Sequence, residues 1–169
     1  VAHDSMDVWA SPEQFLLDEN FNPTVVAGCP PDGFSPDGQL WGNPIYNWQR
    51  HKETGYGWWI DRMKSAKELY DVIRIDHFRG FDEFFTIPYG DETARGGSWR
   101  QGPGMDLFRS IQKAIGQREV IAEDLGFMTD SVRKLVWESG FPNMKVLEFA
   151  FDERDSTSAN DYLPHNYRE

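Results

Sequence analysis

A chain of 169 residues is long enough for one domain with a real core, and seven Trp, twelve Phe and six Tyr supply aromatic mass for it. The formal net charge of −11 speaks against nucleic acid or an anionic membrane surface as a partner, because both reward positive charge, whereas a neutral ligand carries no such penalty. No stretch is apolar for long enough to span a membrane, and the single Cys29 excludes an internal disulfide and any cysteine-based metal cluster, which fits a reducing, cytoplasmic setting.

The opening VAHDSMDVWA has neither a basic segment nor an apolar run, so no signal peptide is expected, and it lacks an initiator Met. It reads as the end of a strand, and the closing LPHNYRE reads as loop. The expectation is an internal piece of a longer protein. Residues 21–57 are rich in Gly, Pro, Asn and Asp and predict a long, lid-like loop region. The interleaved Trp41, Tyr46 and Trp48 argue against disorder there. GWWIDRMKSAKELYD then sets Trp59, Met63, Ala66 and Tyr70 at helical spacing.

The apolar run VIRID predicts a strand, followed by a second Gly- and Pro-rich loop, IPYGDETARGGSWRQGPG. MDLFRSIQKAIG predicts a helix with Phe108, Ile111 and Ile115 on one face and Gly116 as its stop. EVIAEDLG predicts a strand. TDSVRKLVWESG predicts another helix, with Thr129 as N-cap and Gly140 at its end, and MKVLEFAF a third strand. Strands alternating with helices long enough to cross over imply an α/β fold with consecutive parallel strands, either an open sheet or part of a (β/α)8 barrel. The whole chain is expected to be one partial barrel domain, since a full barrel takes about 250 residues.

In a barrel, functional groups sit at the C-terminal ends of strands, and there lie Asp76 and Glu123. Adjacent strands run about 4.8 Å apart, close to the ~5–5.5 Å separation of the two carboxylates in a retaining glycosidase. Arg74, two residues before Asp76, shares its face and would keep it charged; Ile121, below Glu123, offers an apolar wall that favours the protonated acid. The same spacing also suits a structural Arg74–Asp76 ion pair with Glu123 as a helix cap. Spacing alone leaves the two open.

The quoted stretches resemble the amylomaltases, the 4-α-glucanotransferases of glycoside hydrolase family 77 in the α-amylase clan. VIRIDHFRGF resembles the signature at the end of barrel strand four, and VIAEDLG that of strand five. VAHDSMDVWA resembles the exit of strand three, and MKVLEFAF with LPHNY resembles strand six and its continuation. VVAGCPPDGFSPDGQLWGNPIY resembles a loop, peculiar to amylomaltases, that folds over bound glucan. The resemblance implies a (β/α)8 barrel piece from the end of strand three through strand six. It implies Asp76 as nucleophile, Arg74 as its support and Glu123 as acid/base in a retaining double displacement on maltooligosaccharides or starch-derived glucans, without a cofactor. It implies Trp41 as a sugar platform and, more weakly, Asp4 as a site-lining residue.

Asp32 and Asn43 suit either sugar hydroxyls or turn capping. His77 falls on the opposite face of an ideal strand, unless a bend at the strand end brings it into the site. Asp124 fits a loop cap better than the chemistry, and Glu148 is undecided. The family's third carboxylate follows a His beyond LPHNY, where His165 is no substitute, so this chain alone is expected to be inactive. Two rivals stand beside the transferase: a non-enzymatic glucan-binding or structural piece, and a Mg²⁺-dependent barrel enzyme using Asp76, Glu123 and Asp124. Exposed strand edges predict self-association.

Overall fold

The computed structural model describes residues 1–116, 119–126, 128–151, 160 and 162–167. Among these residues five α-helices, α1 (Met6–Ala10), α2 (Trp48–Glu53), α3 (Gly57–Leu69), α4 (Met105–Ile115) and α5 (Asp130–Ser139), accompany six strands. The strands are β1 (Val25–Cys29), β2 (Gln39–Pro44), β3 (Ile73–Ile75), β4 (Glu83–Pro88), β5 (Ser98–Gln101) and β6 (Val120–Ala122). No helix among the described residues is long and apolar enough to cross a membrane.

Two sheets organise the fold, which is mixed α/β. β3 and β6 pair in parallel, with Arg74 opposite Ile121 and Ile75 opposite Ala122. The other four strands form an antiparallel sheet in the order β2-β1-β4-β5. That sheet corrects the expectation of two long loops. Residues 21–57 hold β1, β2 and α2, and the stretch after β3 holds β4 and β5. Gly28 lets β1 and β2 approach, since a Cβ there would strike the Gln39 carbonyl and the Ile87 side chain.

Helix boundaries follow local chemistry. The Thr129 hydroxyl accepts the Val132 N–H at 3.3 Å, and Gly140 ends α5 at φ 68°. Asn47 caps α2 by accepting the Arg50 N–H. The apolar faces of α3, α4 and α5 pack on the parallel strands, burying Trp59 and Met63, Leu107, Phe108 and Ile111, and Leu135 around Val120 and Ala122. Each large apolar side chain buried there contributes about 1.5–3 kcal/mol. Tyr70, expected on the buried face of α3, is 63% exposed because it caps the helix rather than continuing it.

Two further expectations are corrected. Residues 144–151 form no strand: Asn143 makes one parallel bridge to Ala122, and the chain then turns into a 3₁₀ helix, Leu147–Phe151. The cause is the buried Asp124, whose Oδ1 takes the Met144 N–H and whose Oδ2 takes the Asn143 amide, diverting the backbone from the ladder. Residues 1–5 make a turn into α1 rather than a strand end.

Candidate active site

Strand alternation divides β3 and β6 into two faces. Ile73, Ile75, Val120 and Ala122 point into the core. Arg74, Asp76, Ile121 and Glu123 therefore share the other face. Asp76 and Glu123 stand level: the Glu123 N–H donates to the Ile75 carbonyl at 2.9 Å, and the Phe78 N–H donates to the Glu123 carbonyl at 2.8 Å.

Arg74 Nη2 donates to Asp76 Oδ1 at 2.6 Å, and Arg74 Nε contacts Met144 Sδ at 3.2 Å. With 77% of its side chain exposed, Asp76 keeps most of its surface open to a ligand. Glu123 is gripped by two backbone amides, His77 N–H to Oε2 at 2.8 Å and Leu125 N–H to Oε1 at 2.9 Å. Those bonds fix the carboxylate's orientation. Ile121 lies beside Arg74 in register, so the expected apolar wall beneath Glu123 also carries a guanidinium next to it.

An open cavity of about 2080 Å³ joins these groups to the antiparallel sheet. Trp41 of β2 lines it together with Asp76, His77 and Glu123. The Trp41 Nε1–H donates to Gln39 Oε1 at 2.9 Å, and its ring meets His77 edge to face, with centroids 4.9 Å apart. His77 reaches this position because its backbone turns left-handed at φ 49°, ψ 51°, lifting the ring off the core-facing side on which strand alternation would leave it. Burial, helped by the Arg79 guanidinium, holds the His77 ring below its ordinary pKa against the pull of Glu123 and Asp76, so it is neutral at pH 7.

The other expected residues divide. Asp32 lines the cavity, but its Oδ1 accepts the Phe34 and Ser35 N–H groups at 2.8 Å each, which makes it the cap of the β1–β2 turn. Asn43 also lines the cavity and donates to the Val1 carbonyl at 2.9 Å. Asp4 is exposed in the turn before α1 and does not line the cavity. Glu148 is exposed in the 3₁₀ helix.

Sequence reasoning gave no role to Arg79, although VIRIDHFRGF contains it. It is buried, lines the cavity and lays its guanidinium 4.4 Å from the centroid of Trp99, which lines the same cavity. Cys29, on the same wall, has its thiol pushed up by burial and by Asp32, with Arg79 opposing. Among the described residues, no group of three or more His, Cys, Asp or Glu side chains is placed to hold a metal ion.

Two level carboxylates thus stand at the ends of adjacent parallel strands and line the same open cavity as Trp41. A family model described as 4-alpha-glucanotransferase matches residues 1–169, and the chain belongs to that family, glycoside hydrolase family 77. It is 51% identical over 168 residues to a 4-alpha-glucanotransferase of Clostridium butyricum, covering 99% of this chain and 34% of that protein. It is likewise 51% identical over 167 residues to one of Thermus thermophilus, covering 99% and 33%. The chain thus spans about a third of the length of these relatives. Its fold is similar to that of an amylomaltase from Streptococcus agalactiae solved in complex with acarbose, with a TM-score of 0.94 at 46% identity, over 100% of this chain and 34% of that one.

Proposed function

We propose that this chain is the catalytic segment of a 4-α-glucanotransferase that moves α-1,4-glucan segments between maltooligosaccharides with retention of configuration. The observation that carries the reading is the level placement of Asp76 and Glu123 on one exposed face, in the same cavity as Trp41. Asp76 attacks the anomeric carbon while Glu123 protonates the departing glycosidic oxygen. Glu123 then takes the proton from the acceptor sugar's hydroxyl as that oxygen displaces Asp76. Arg74 holds Asp76 in place and compensates its charge through the 2.6 Å ion pair. Trp41 is the platform on which a glucose ring stacks.

β3 and β6, with α3, α4 and α5 behind them, are read as two neighbouring strands of a (β/α)8 barrel. The antiparallel sheet is then the wall that shelters the glycosyl–enzyme from water. The free Cys29 supports a cytoplasmic setting.

The test is incubation with maltotriose, with and without a metal chelator, of this chain and of a family-length protein carrying it. Transfer of a maltosyl unit from one maltotriose to another gives glucose and maltopentaose, and transfer of a glucosyl unit gives maltose and maltotetraose, each in one double displacement. The reading expects these products from the longer protein, unaffected by chelator. Glucose and maltose alone would indicate hydrolysis, chelator sensitivity would favour the Mg²⁺ reading, and binding without turnover would favour a glucan-binding protein.

A further inference from the structure

We propose that His77 is a positioning residue of this site: its backbone amide aims the Glu123 carboxylate while its ring sets the Trp41 indole, so that one residue couples the sugar platform to the acid/base group. The inference rests on the glucanotransferase reading above. Three independent features support it.

The first is the backbone. A left-handed conformation is costly for a residue with a side chain and persists where the surroundings over-determine it. At His77 the flanking bonds do so. The Phe78 N–H reaches the Glu123 carbonyl at 2.8 Å and the Gly80 N–H reaches the His77 carbonyl at 3.0 Å. In this turn the His77 N–H meets Glu123 Oε2 at 2.8 Å. Were the parallel ladder continued, the His77 N–H would bond the Glu123 carbonyl, as the Ile73 N–H bonds that of Glu119; the turn hands that carbonyl to Phe78 and leaves the His77 N–H for the carboxylate.

The second is the space around the ring. A Cβ on Gly80 would lie 2.7 Å from His77 Nδ1, so the 3₁₀ turn Phe78–Phe81 admits the imidazole only because residue 80 has no side chain. The third is the contact across the cavity. The His77 and Trp41 rings meet edge to face, with centroids 4.9 Å and planes 84° apart, an arrangement aromatic pairs favour. The charged groups around it are Arg79, Glu123 and Asp76, and the ring stays neutral among them. Its place between a glycine and an indole is therefore a matter of shape.

Two substitutions at one position separate the two roles. Asn tolerates the left-handed region, so His77→Asn keeps the amide on Glu123 and removes the prop under Trp41. Val is β-branched and rejects that region, so His77→Val displaces the amide as well. In the family-length protein, normalised to the folded fraction by circular dichroism, His77→Asn is expected to raise KM for maltotriose about fivefold with kcat within twofold of wild type. His77→Val is expected to lower kcat at least tenfold. Equal losses in both variants, or a wild-type kcat in His77→Val, would overturn the proposal.

A wild-type protein without transfer activity would instead refute the glucanotransferase reading, and the coupling is then read by NMR on the same family-length protein. The His77 amide proton is expected to move upfield in Glu123→Gln, as a charge-assisted bond becomes neutral. The Trp41 indole protons are expected to move in His77→Asn. Signals that stay put in both variants would overturn the coupling regardless of the enzyme assay.

Discussion

Acid should weaken this fold through His51, a residue with no part in the proposed chemistry. Its side chain is completely buried, ringed by Tyr46, Trp48 and Trp58 at centroid distances of 5.3–5.8 Å. Nε2 lies 3.1 Å from the Gln14 carbonyl and must carry the proton to donate to it, while the buried Nδ1 has no partner among the described residues. Protonating Nδ1 would place a cation among aromatic rings with no acceptor. Burial accordingly lowers the His51 pKa from 6.5 to about 4, with the Gln14 bond opposing. Because the folded value is the depressed one, the stabilisation from a neutral His51 is complete above about pH 6.5 and is lost as pH falls toward 4. At 1.36 kcal/mol per unit, the loss reaches about 2.5 kcal/mol by pH 4.5, a large share of a typical ~5–15 kcal/mol total. Urea unfolding at pH 7.5 and pH 4.5, for wild type and His51→Gln, isolates this contribution from the carboxylates common to both. The stability difference between the two proteins should shrink by about 2.5 kcal/mol at the lower pH. An unchanged difference would refute the argument.

Other consequences follow from packing and exposure. Gly28→Ala should destabilise the antiparallel sheet by about 1–3 kcal/mol, because the new methyl group meets the Gln39 carbonyl and Ile87, and a lowered melting temperature would record it. Trp41→Ala should raise KM for maltotriose in the family-length protein about tenfold, close to 1.4 kcal/mol, while the melting temperature holds, since the ring is 41% exposed. The exposed Met6, Trp9, Leu69, Trp137 and Phe151, with the open face of β3 and β6, should make the isolated chain self-associate. Sedimentation velocity across a concentration series tests this, and a single monomeric boundary throughout would count against it.

The parts of the fold written in long, regular patterns were legible in the sequence. α3, α4 and α5 follow their helical spacing, and Thr129 and Gly140 bound α5 as their chemistry requires. The antiparallel sheet was not legible. Its strands are short: β1 is a five-residue apolar run that includes Gly28, β2 holds Gly42 and is exposed over its first four residues, and β5 is exposed along its whole length. The usable signals were VVAGC and EFFTIP, the latter aromatic and β-branched over the length of β4. Residues 144–151 show the opposite failure. An apolar run suits a strand, but Asp124, twenty positions away, captures the backbone amide with which that strand would begin. The pairing of Arg74 with Asp76 could be read from their spacing, and the level placement of Glu123 from the order of the strands. The left-handed turn of His77 could not, because it arises where β3 meets the Glu123 carbonyl and Gly80 opens space for the ring.

The central claim is that Asp76 is the nucleophile, and a covalent trap tests it most directly. An α-maltosyl fluoride has a leaving group that needs little protonation, so the family-length Glu123→Gln variant should accumulate a maltosyl–enzyme that it resolves slowly. Peptide mapping by mass spectrometry should then place one maltosyl unit on Asp76, and Asp76→Asn should remain unlabelled. Labelling on another carboxylate, or in Asp76→Asn, would contradict the account.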